Sequence, residues 1–381
     1  MPVVLDVSAA EDPRDLVHRA VQTLAEGGLV AFPTETVYGL AASALNADAV
    51  QRLYDVKGRK SGQAFTLAIR SVEEALDFAP CMSPLAVRLA RRCWPGPITL
   101  VVDDDHPDSL VGRLPENVRK LVVPSGSLGM RVPAHALIMN VMRLAVGPLV
   151  LTSANRSGEP EALTGADVVK SLGDDVGLVL DDGRCKFSQP SSVVRVRGQS
   201  FQILRNGVIV DATLRRLASF ILLFVCTGNT CRSPMAEALM RKRFADRLGC
   251  RLTDLEERGV MVMSAGIAAM AGGHATPEAD QAVRAWGVDL AHHESQPLSD
   301  RLMRFADTIL TMTRGHRDAI LSQWPDAASR ISLVASNNSD IGDPIGGPPE
   351  LYQRCAEQID QQLADWMQRF DMSMLPLFPA V

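Results

Sequence analysis

The 381-residue chain lacks any apolar run near the ~20 residues that a bilayer-spanning helix needs. Its opening, "MPVVLDVSAAEDPRD", also carries acids where a secretory leader carries bases. Together these absences predict a cytoplasmic protein without a membrane partner. Cysteine is sparse and irregularly spaced, seven residues in all, which excludes the paired framework of a small secreted fold but leaves single thiols open to chemistry. Basic excess is missing too: 39 Lys and Arg stand against 44 Asp and Glu. A general electrostatic hold on nucleic acid is thereby excluded, and any RNA contact falls to local patches such as Arg88, Arg91 and Arg92. The chain has no Walker loop, no GxGxxG and no internal repeat. Nor does a second ligand pair stand beside Cys226, Cys231, His292 and His293, so no metal site is read.

The composition that is present, 46% hydrophobic and 22% charged, is that of a globular protein, and the length predicts two domains. In "ILRNGVIVDATLRRLASFILLFV" a strand-like run ends near Val210, a polar stretch with two arginines follows, and a new apolar strand begins near Ser219. The expected domains are therefore 1–212 and 219–381. In the first, "GGLVAFP", "FTLAI", "ITLVV", "LGMRV", "PLVLTS", "GLVLD" and "SVVRV" read as strands. "NADAVQRLYDVK" reads as a helix stopped by Gly58. In the second, "FILLFV", "GVMVMSAG", "DTILTM" and "ISLV" read as buried strands, and a helix starts near Pro349. Alternation of this kind predicts an α/β fold in both halves, each a sheet covered by helices.

The densest chemistry lies in "VCTGNTCRSP", residues 225–234. An apolar strand delivers Cys226 to a five-residue loop, and Arg232 precedes Ser233 and Pro234, read as a helix start with proline first. Backbone N–H groups of such a loop, with the helix N-terminus, suit a tetrahedral dianion. Gly228 is expected to supply the turn without a Cβ penalty. Arg232 can grip two phosphoryl oxygens with its planar fork, and the same positive field stabilises a nucleophilic thiolate at Cys226.

"VCTGNTCRSPMAEAL", with "SAG" at 264–266 and "DPIGG" at 343–347, resembles the low-molecular-weight protein tyrosine phosphatase family over about 219–372. The resemblance implies a Rossmann-like parallel sheet and a reaction that needs no cofactor. It also implies that Cys226 attacks phosphorus, Arg232 holds the phosphoryl oxygens, and Asp343 protonates the leaving group before activating water on a phosphocysteine. Thr227, Gly228, Asn229, Thr230, Cys231 and Ser233 would support the loop, Asn229 and Ser233 by holding it and stabilising the thiolate. Thr230 resembles the protein-arginine phosphatase branch, and "DPIGG" lacks the aromatic pair that lines a phosphotyrosine pocket. A threonine capping its own backbone is an equal reading, so phosphotyrosine and phosphoarginine proteins both stay open as substrates. Arsenate reduction needs resolving cysteines, and only the unpaired Cys250 and Cys355 follow the loop. Cys231 is a candidate to trap an oxidised Cys226 as a disulfide.

The first half scatters its signals: "FPTETVYGL" at 32–40, "KGR" at 57–59, "WPGPITLV" at 94–101, "GMRVP" at 129–133 and "LTSANRSGEP" at 151–160. Lys57 and Arg59 stand at a helix end, free to reach toward a triphosphate. Ser153 and Asn155 can donate to an anion from a strand-end loop. In this order and spacing the motifs resemble the YrdC-like family of L-threonylcarbamoyladenylate synthases over about 14–210. The resemblance implies a twisted mixed α/β sheet. It implies conversion of L-threonine, bicarbonate and ATP to threonylcarbamoyl-AMP and pyrophosphate, assisted by Mg2+, on the way to tRNA threonylcarbamoyladenosine, with an indirect link to tRNA-modification proteins. Thr34 and Arg59 would hold threonine, and Ser191, Arg195 and Arg205 would lie near the pocket. Cations there would offset the triphosphate's charge as pyrophosphate leaves. Two positions depart from the family pattern: Lys60 replaces a proline and Ala68 a histidine. The expected protein is a bifunctional nucleotidyltransferase and protein phosphatase. The alternative is a non-catalytic RNA- or nucleotide-binding module joined to an active phosphatase.

Overall fold

The structure is a computed structural model that describes residues 2–58 and 62–378. Arg59 and Lys60 lie outside the described residues. The chain forms two compact units, Met1–Leu217 and Ala218–Val381. No helix among the described residues is long and apolar enough to cross a membrane.

The first unit is built on strands β1 (Val3–Asp6), β2 (Val30–Phe32), β3 (Gly39–Ser43), β4 (Thr66–Ala68), β5 (Ile98–Asp103), β6 (Ser127–Arg131), β7 (Leu149–Ser153), β8 (Leu178–Asp181), β9 (Ser192–Arg197) and β10 (Ser200–Arg205). They form one sheet in the order β1-β8-β2-β3-β7-β4-β6-β5-β9-β10. Pairing is mixed, for example parallel between β2 and β8 and antiparallel between β3 and β7. Helices Pro13–Ala25 and Ala136–Leu144 lay Leu16, Ala20, Ile138 and Val141 on strand residues such as Phe32, Ala41 and Leu149. Ala68 belongs to this core and is fully buried.

Helix Ala47–Lys57 shows how local sequence sets the site. The Asn46 side chain accepts from the Ala49 N–H at its start, and Gly58, left-handed at φ 58°, ends it. Lys57 is thereby fixed as the last helical residue. Two strands lie outside the runs read from sequence. β1 is largely exposed, and β3, "GLAAS", is small because its neighbour is close: a Cβ on Gly39 would stand 2.8 Å from Leu151 Cδ1. The stretch read as polar after Val210 is a helix, Asp211–Ala218. Arg88 and Arg92, expected as a surface patch, are 1% and 4% exposed on helix Pro84–Cys93, so they offer no surface for RNA.

The second unit is a four-stranded, all-parallel sheet of β11 (Phe220–Cys226), β12 (Val260–Gly266), β13 (Thr308–Thr311) and β14 (Ile331–Leu333), in the order β12-β11-β13-β14. All seven residues of β11 are buried. Phe220, Leu222 and Phe224 face helices Arg232–Leu248 and Pro349–Arg369, while Ile221, Leu223 and Val225 pack with Met303 and Ile320 on the other face. That two-sided burial is why "FILLFV" is apolar without alternation. The chain leaves β11 to one side for β12 and returns to the other for β13. In sheets of this order ligands bind beyond the carboxyl ends of the strands where the winding reverses, and Cys226 ends β11 there.

Candidate active sites

Cys226 is 3% exposed, and the loop after it runs into helix Arg232–Leu248. The helix begins two residues earlier than read: Arg232 is its first residue and Pro234 its third. No side chain caps its start, so its first N–H groups, which lack partners within the helix, stay available to an anion. The left-handed residue of the loop is Asn229, φ 56°, and not Gly228. A Cβ on Gly228 would meet only Thr230 Oγ1, at 3.6 Å. Asparagine tolerates this conformation better than most residues.

Asn229 is fully buried and tied on every side. Its N–H donates to Cys226 Sγ at 3.2 Å, and Nδ2 donates to Ser233 Oγ at 2.9 Å and Ser264 Oγ at 2.8 Å. Its Oδ1 accepts the Gln296 N–H at 2.9 Å, and its carbonyl accepts from His293 Nε2 at 2.8 Å. Ser233 Oγ accepts a hydrogen bond from Asn229, so its own proton goes to the nearer of its two remaining neighbours, Cys226 Sγ at 3.0 Å against the Ala265 carbonyl at 3.5 Å. Two donors thus converge on the sulfur, the arrangement a thiolate needs. Behind them Ser264 donates to Glu237 at 2.6 Å, and burial pushes that carboxyl's pKa up.

Arg232, 5% exposed, donates through Nη1 to the Ile341 carbonyl at 3.2 Å and pairs through Nη2 with Asp343. The half-exposed Asp343 is thus brought to the same crevice from 111 residues away. Three further residues, given no role by the sequence, shape the loop. His316 bonds Thr227 Oγ1 through Nε2 and Thr313 Oγ1 through Nδ1, both at 2.9 Å, and burial, then the Arg232 charge, hold its pKa down. Gly266 ends β12 under the loop, where a Cβ would stand 2.4 Å from the Thr227 carbonyl oxygen and 3.0 Å from the Asn229 nitrogen. His293 holds the loop's central carbonyl. The "SAG" match pointed to Gly266; no local signal marked either histidine. The Thr230 carbonyl accepts the Thr276 N–H at 2.9 Å, and its hydroxyl lies 3.6 Å from Cys231 Sγ. Cys231 turns its thiol to the hydroxyls of Thr276 and Tyr352, and both it and Cys226 are free thiols. A nucleophile, a forked cation and a carboxyl on one anion cradle are the parts for displacement at phosphorus.

In the first unit a recess is lined by Thr34, Ser153, Ser191 and Arg205, with Arg131 and Glu161. Thr34 donates to the Val37 carbonyl at 2.6 Å and accepts the Thr36 N–H at 3.1 Å, which folds the β2–β3 turn over it. Arg205 donates to the Ser191 carbonyl through Nε and Nη2 at 3.1 and 2.8 Å and to Ser191 Oγ at 3.0 Å. Burial lowers the Arg205 pKa. Lys57 is not free to swing, contrary to expectation. Only 4% exposed, it donates to the Ser153 carbonyl at 2.8 Å, to Asn155 Oδ1 at 3.1 Å and to the Asn155 carbonyl, and so pins the loop after β7. The fold thus joins the "KGR" lysine to both residues of the Ser-Ala-Asn motif. Arg195 is not brought to the recess; it lies 3.5 Å from Asp103 at the end of β5. Arg131, the arginine of "GMRVP", also lines the recess. It pairs with buried Glu35 at 2.6 Å and donates to Thr36 Oγ1 at 2.9 Å, which stiffens the recess wall.

Residues 22–207 match the Sua5/YciO/YrdC family, described as telomere recombination, and residues 221–374 match the low molecular weight phosphotyrosine protein phosphatase family. A protein-arginine-phosphatase of Bacillus subtilis is 38% identical over 146 residues, 37% of this chain and 91% of that protein. A putative threonylcarbamoyl-AMP synthase of Mycobacterium tuberculosis is 31% identical over 190 residues, 50% of this chain and 83% of that protein. A solved structure of Pyrococcus abyssi Sua5 complexed with L-threonine shares the fold, with a TM-score of 0.51 at 21% identity over 70% of this chain and 92% of that chain. The chain spans about half the length of the curated synthases of Pyrococcus abyssi and Bacillus subtilis that it also matches, 51% and 57% respectively. With donors converging on Cys226 in one unit and Lys57 joined to Ser153 and Asn155 in the other, the chain belongs to both families, the Sua5/YciO/YrdC family through its first unit and the low molecular weight phosphotyrosine protein phosphatases through its second.

Proposed function

We propose that the chain is a bifunctional enzyme, with an L-threonylcarbamoyladenylate synthase in residues 1–212 and a cysteine-dependent protein phosphatase in residues 219–381. The observation that carries the phosphatase half is the convergence of the Asn229 N–H and the Ser233 hydroxyl on Cys226 Sγ, with Arg232 and Asp343 at the same crevice. Cys226 forms a bond to phosphorus as the leaving group departs with a proton from Asp343. Asp343 then takes a proton from water as the water attacks the phosphocysteine and frees the thiolate. Arg232 and the loop amides hold the phosphoryl oxygens throughout. Phosphoarginine protein is the first substrate to test: Thr230 and the arginine-phosphatase relatives support it, and phosphotyrosine protein is the alternative.

For the synthase half, Thr34, Ser153, Ser191 and Arg205 around one recess suit an amino acid and the phosphates of ATP, and threonine is the amino acid in the related Sua5 complex. Among the described residues no group of three or more His, Cys, Asp or Glu could hold a metal. Magnesium belongs to the reaction as a companion of the triphosphate, with Mg-ATP as substrate. The product feeds tRNA threonylcarbamoyladenosine formation, and a cytoplasmic location follows from that role.

Two assays test the reading. p-Nitrophenyl phosphate should be hydrolysed, with turnover abolished in Cys226→Ser and slowed about 10²–10⁴-fold in Asp343→Asn. Phosphoarginine and phosphotyrosine peptides, compared on wild type and Thr230→Ile, decide the substrate. Pyrophosphate release that requires threonine, bicarbonate and ATP together supports the synthase; release at background level overturns it.

A further inference from the structure

One carboxylate oxygen in the first unit's recess has nothing to bond. Glu161 lies in the loop after β7, and its Oε2 is buried without a hydrogen-bond partner among the described residues. The residue lines the same recess as Thr34, Ser153, Ser191 and Arg205. Arg205 feels its charge, yet no ion pair joins the two among the described residues; the Arg205 hydrogen bonds go to Ser191. Arg131, the other cation of the lining, is committed to Glu35 and Thr36. A buried, unpartnered carboxylate oxygen is costly, and native proteins keep such a group where a ligand or water completes it.

The chemistry of the remaining lining says which ligand group does so. Of the remaining lining, the Ser153 and Ser191 hydroxyls and the Arg205 guanidinium are donors, and they suit carboxylate and phosphate oxygens. An ionised Glu161 can only accept. It therefore matches the one cationic group that an amino acid brings, its α-ammonium.

We propose that Glu161 receives the α-ammonium group of the amino-acid substrate, fixing the nitrogen that is to be carboxylated while the donors of the recess hold the carboxylate end. The proposal rests on the synthase reading of the first unit. It also selects among ligands: an acid of the same shape with a hydroxyl in place of the ammonium should be rejected, since Oε2 would stay poorly matched.

The test is calorimetric titration of the full chain, without ATP, with L-threonine and with its deaminated analogue 2,3-dihydroxybutyrate. Wild type should bind threonine at least about 10-fold more tightly than the analogue, the scale of a charged hydrogen bond. Glu161→Gln should lose about that factor for threonine, leave the analogue within about twofold, and keep ATP affinity, which reports an intact recess. Glu161→Asp should recover part of the loss. Unchanged threonine affinity in Glu161→Gln, or an equal loss for both ligands, overturns the proposal alone. So does a changed magnesium requirement with threonine affinity intact. A wild type that binds no threonine overturns the synthase reading and the proposal with it.

Discussion

Replacing Gly266 by alanine tests whether the end of β12 sets the shape of the phosphate cradle. Gly266 has no left-handed backbone to disturb, so the substitution probes space alone. Its Cβ would stand 2.4 Å from the Thr227 carbonyl oxygen, 2.8 Å from Ala269 Cβ and 3.0 Å from the Asn229 nitrogen. Ordinary contact begins near 3.4 Å, so the loop backbone must retreat by about 1 Å. Such overpacking costs about 1–3 kcal/mol of stability, whereas a displacement of about 1 Å at a reacting centre costs about 10²-fold in rate. The two effects separate. Gly266→Ala should still unfold cooperatively at a lower temperature, while kcat/KM for p-nitrophenyl phosphate falls about 100-fold and inorganic phosphate inhibits more weakly. A variant whose kcat/KM and phosphate inhibition stay within about twofold of wild type would refute the reasoning, because the loop would then have absorbed the methyl group without losing its shape.

Two further expectations concern titration. Burial, and next the Arg232 charge, hold His316 below its ordinary pKa of 6.5, so below that pH the unfolded chain binds the proton more readily than the folded one. The stability this histidine contributes is full above pH 6.5 and is lost as pH falls through it toward the folded value. Between pH 7.5 and 5 (about two and a half units around that midpoint) the wild-type urea midpoint, followed by loss of phosphatase activity, should fall more than that of His316→Asn; equal slopes would count against the assignment. Burial also pushes the Cys355 thiol up to about 12. At pH near 8 iodoacetamide should label exposed Cys81 and spare Cys355, and mass spectrometry showing equal rates would contradict it.

Much of the second unit is legible locally. β11 is an almost continuous apolar run because it is covered on both faces, and Cys226 and Arg232 are joined by one short loop. Proline favours the first position of a helix, which places the start at Pro234, whereas the helix starts at Arg232 and carries the proline third. Glycine is the usual left-handed residue, which points to Gly228, whereas Asn229 holds that conformation through its tertiary bonds. His293, His316 and Glu237 are silent in sequence, since their roles exist only once distant segments meet. In the first unit Lys57, Ser153 and Asn155 are visible as motifs, but their mutual bonding is not. Arg195 shows the limit of reading a strand without knowing its faces: its register beside Val101 on β5 directs it toward Asp103. Arg88 and Arg92 show that charge alone does not place a residue on a surface.

Asn229 has a consequence for how the chemistry comes into being. Its bonds to Ser264, His293 and Gln296 close loops of 35, 64 and 67 residues, and contacts of such span assemble late, after the chain has met their closure entropy. A nascent or clipped fragment ending before residue 264 would display the full ten-residue signature and lack all three of these partners of Asn229. The proposed nucleophile thus receives its setting only once folding is complete, and the half-made chain does not have it.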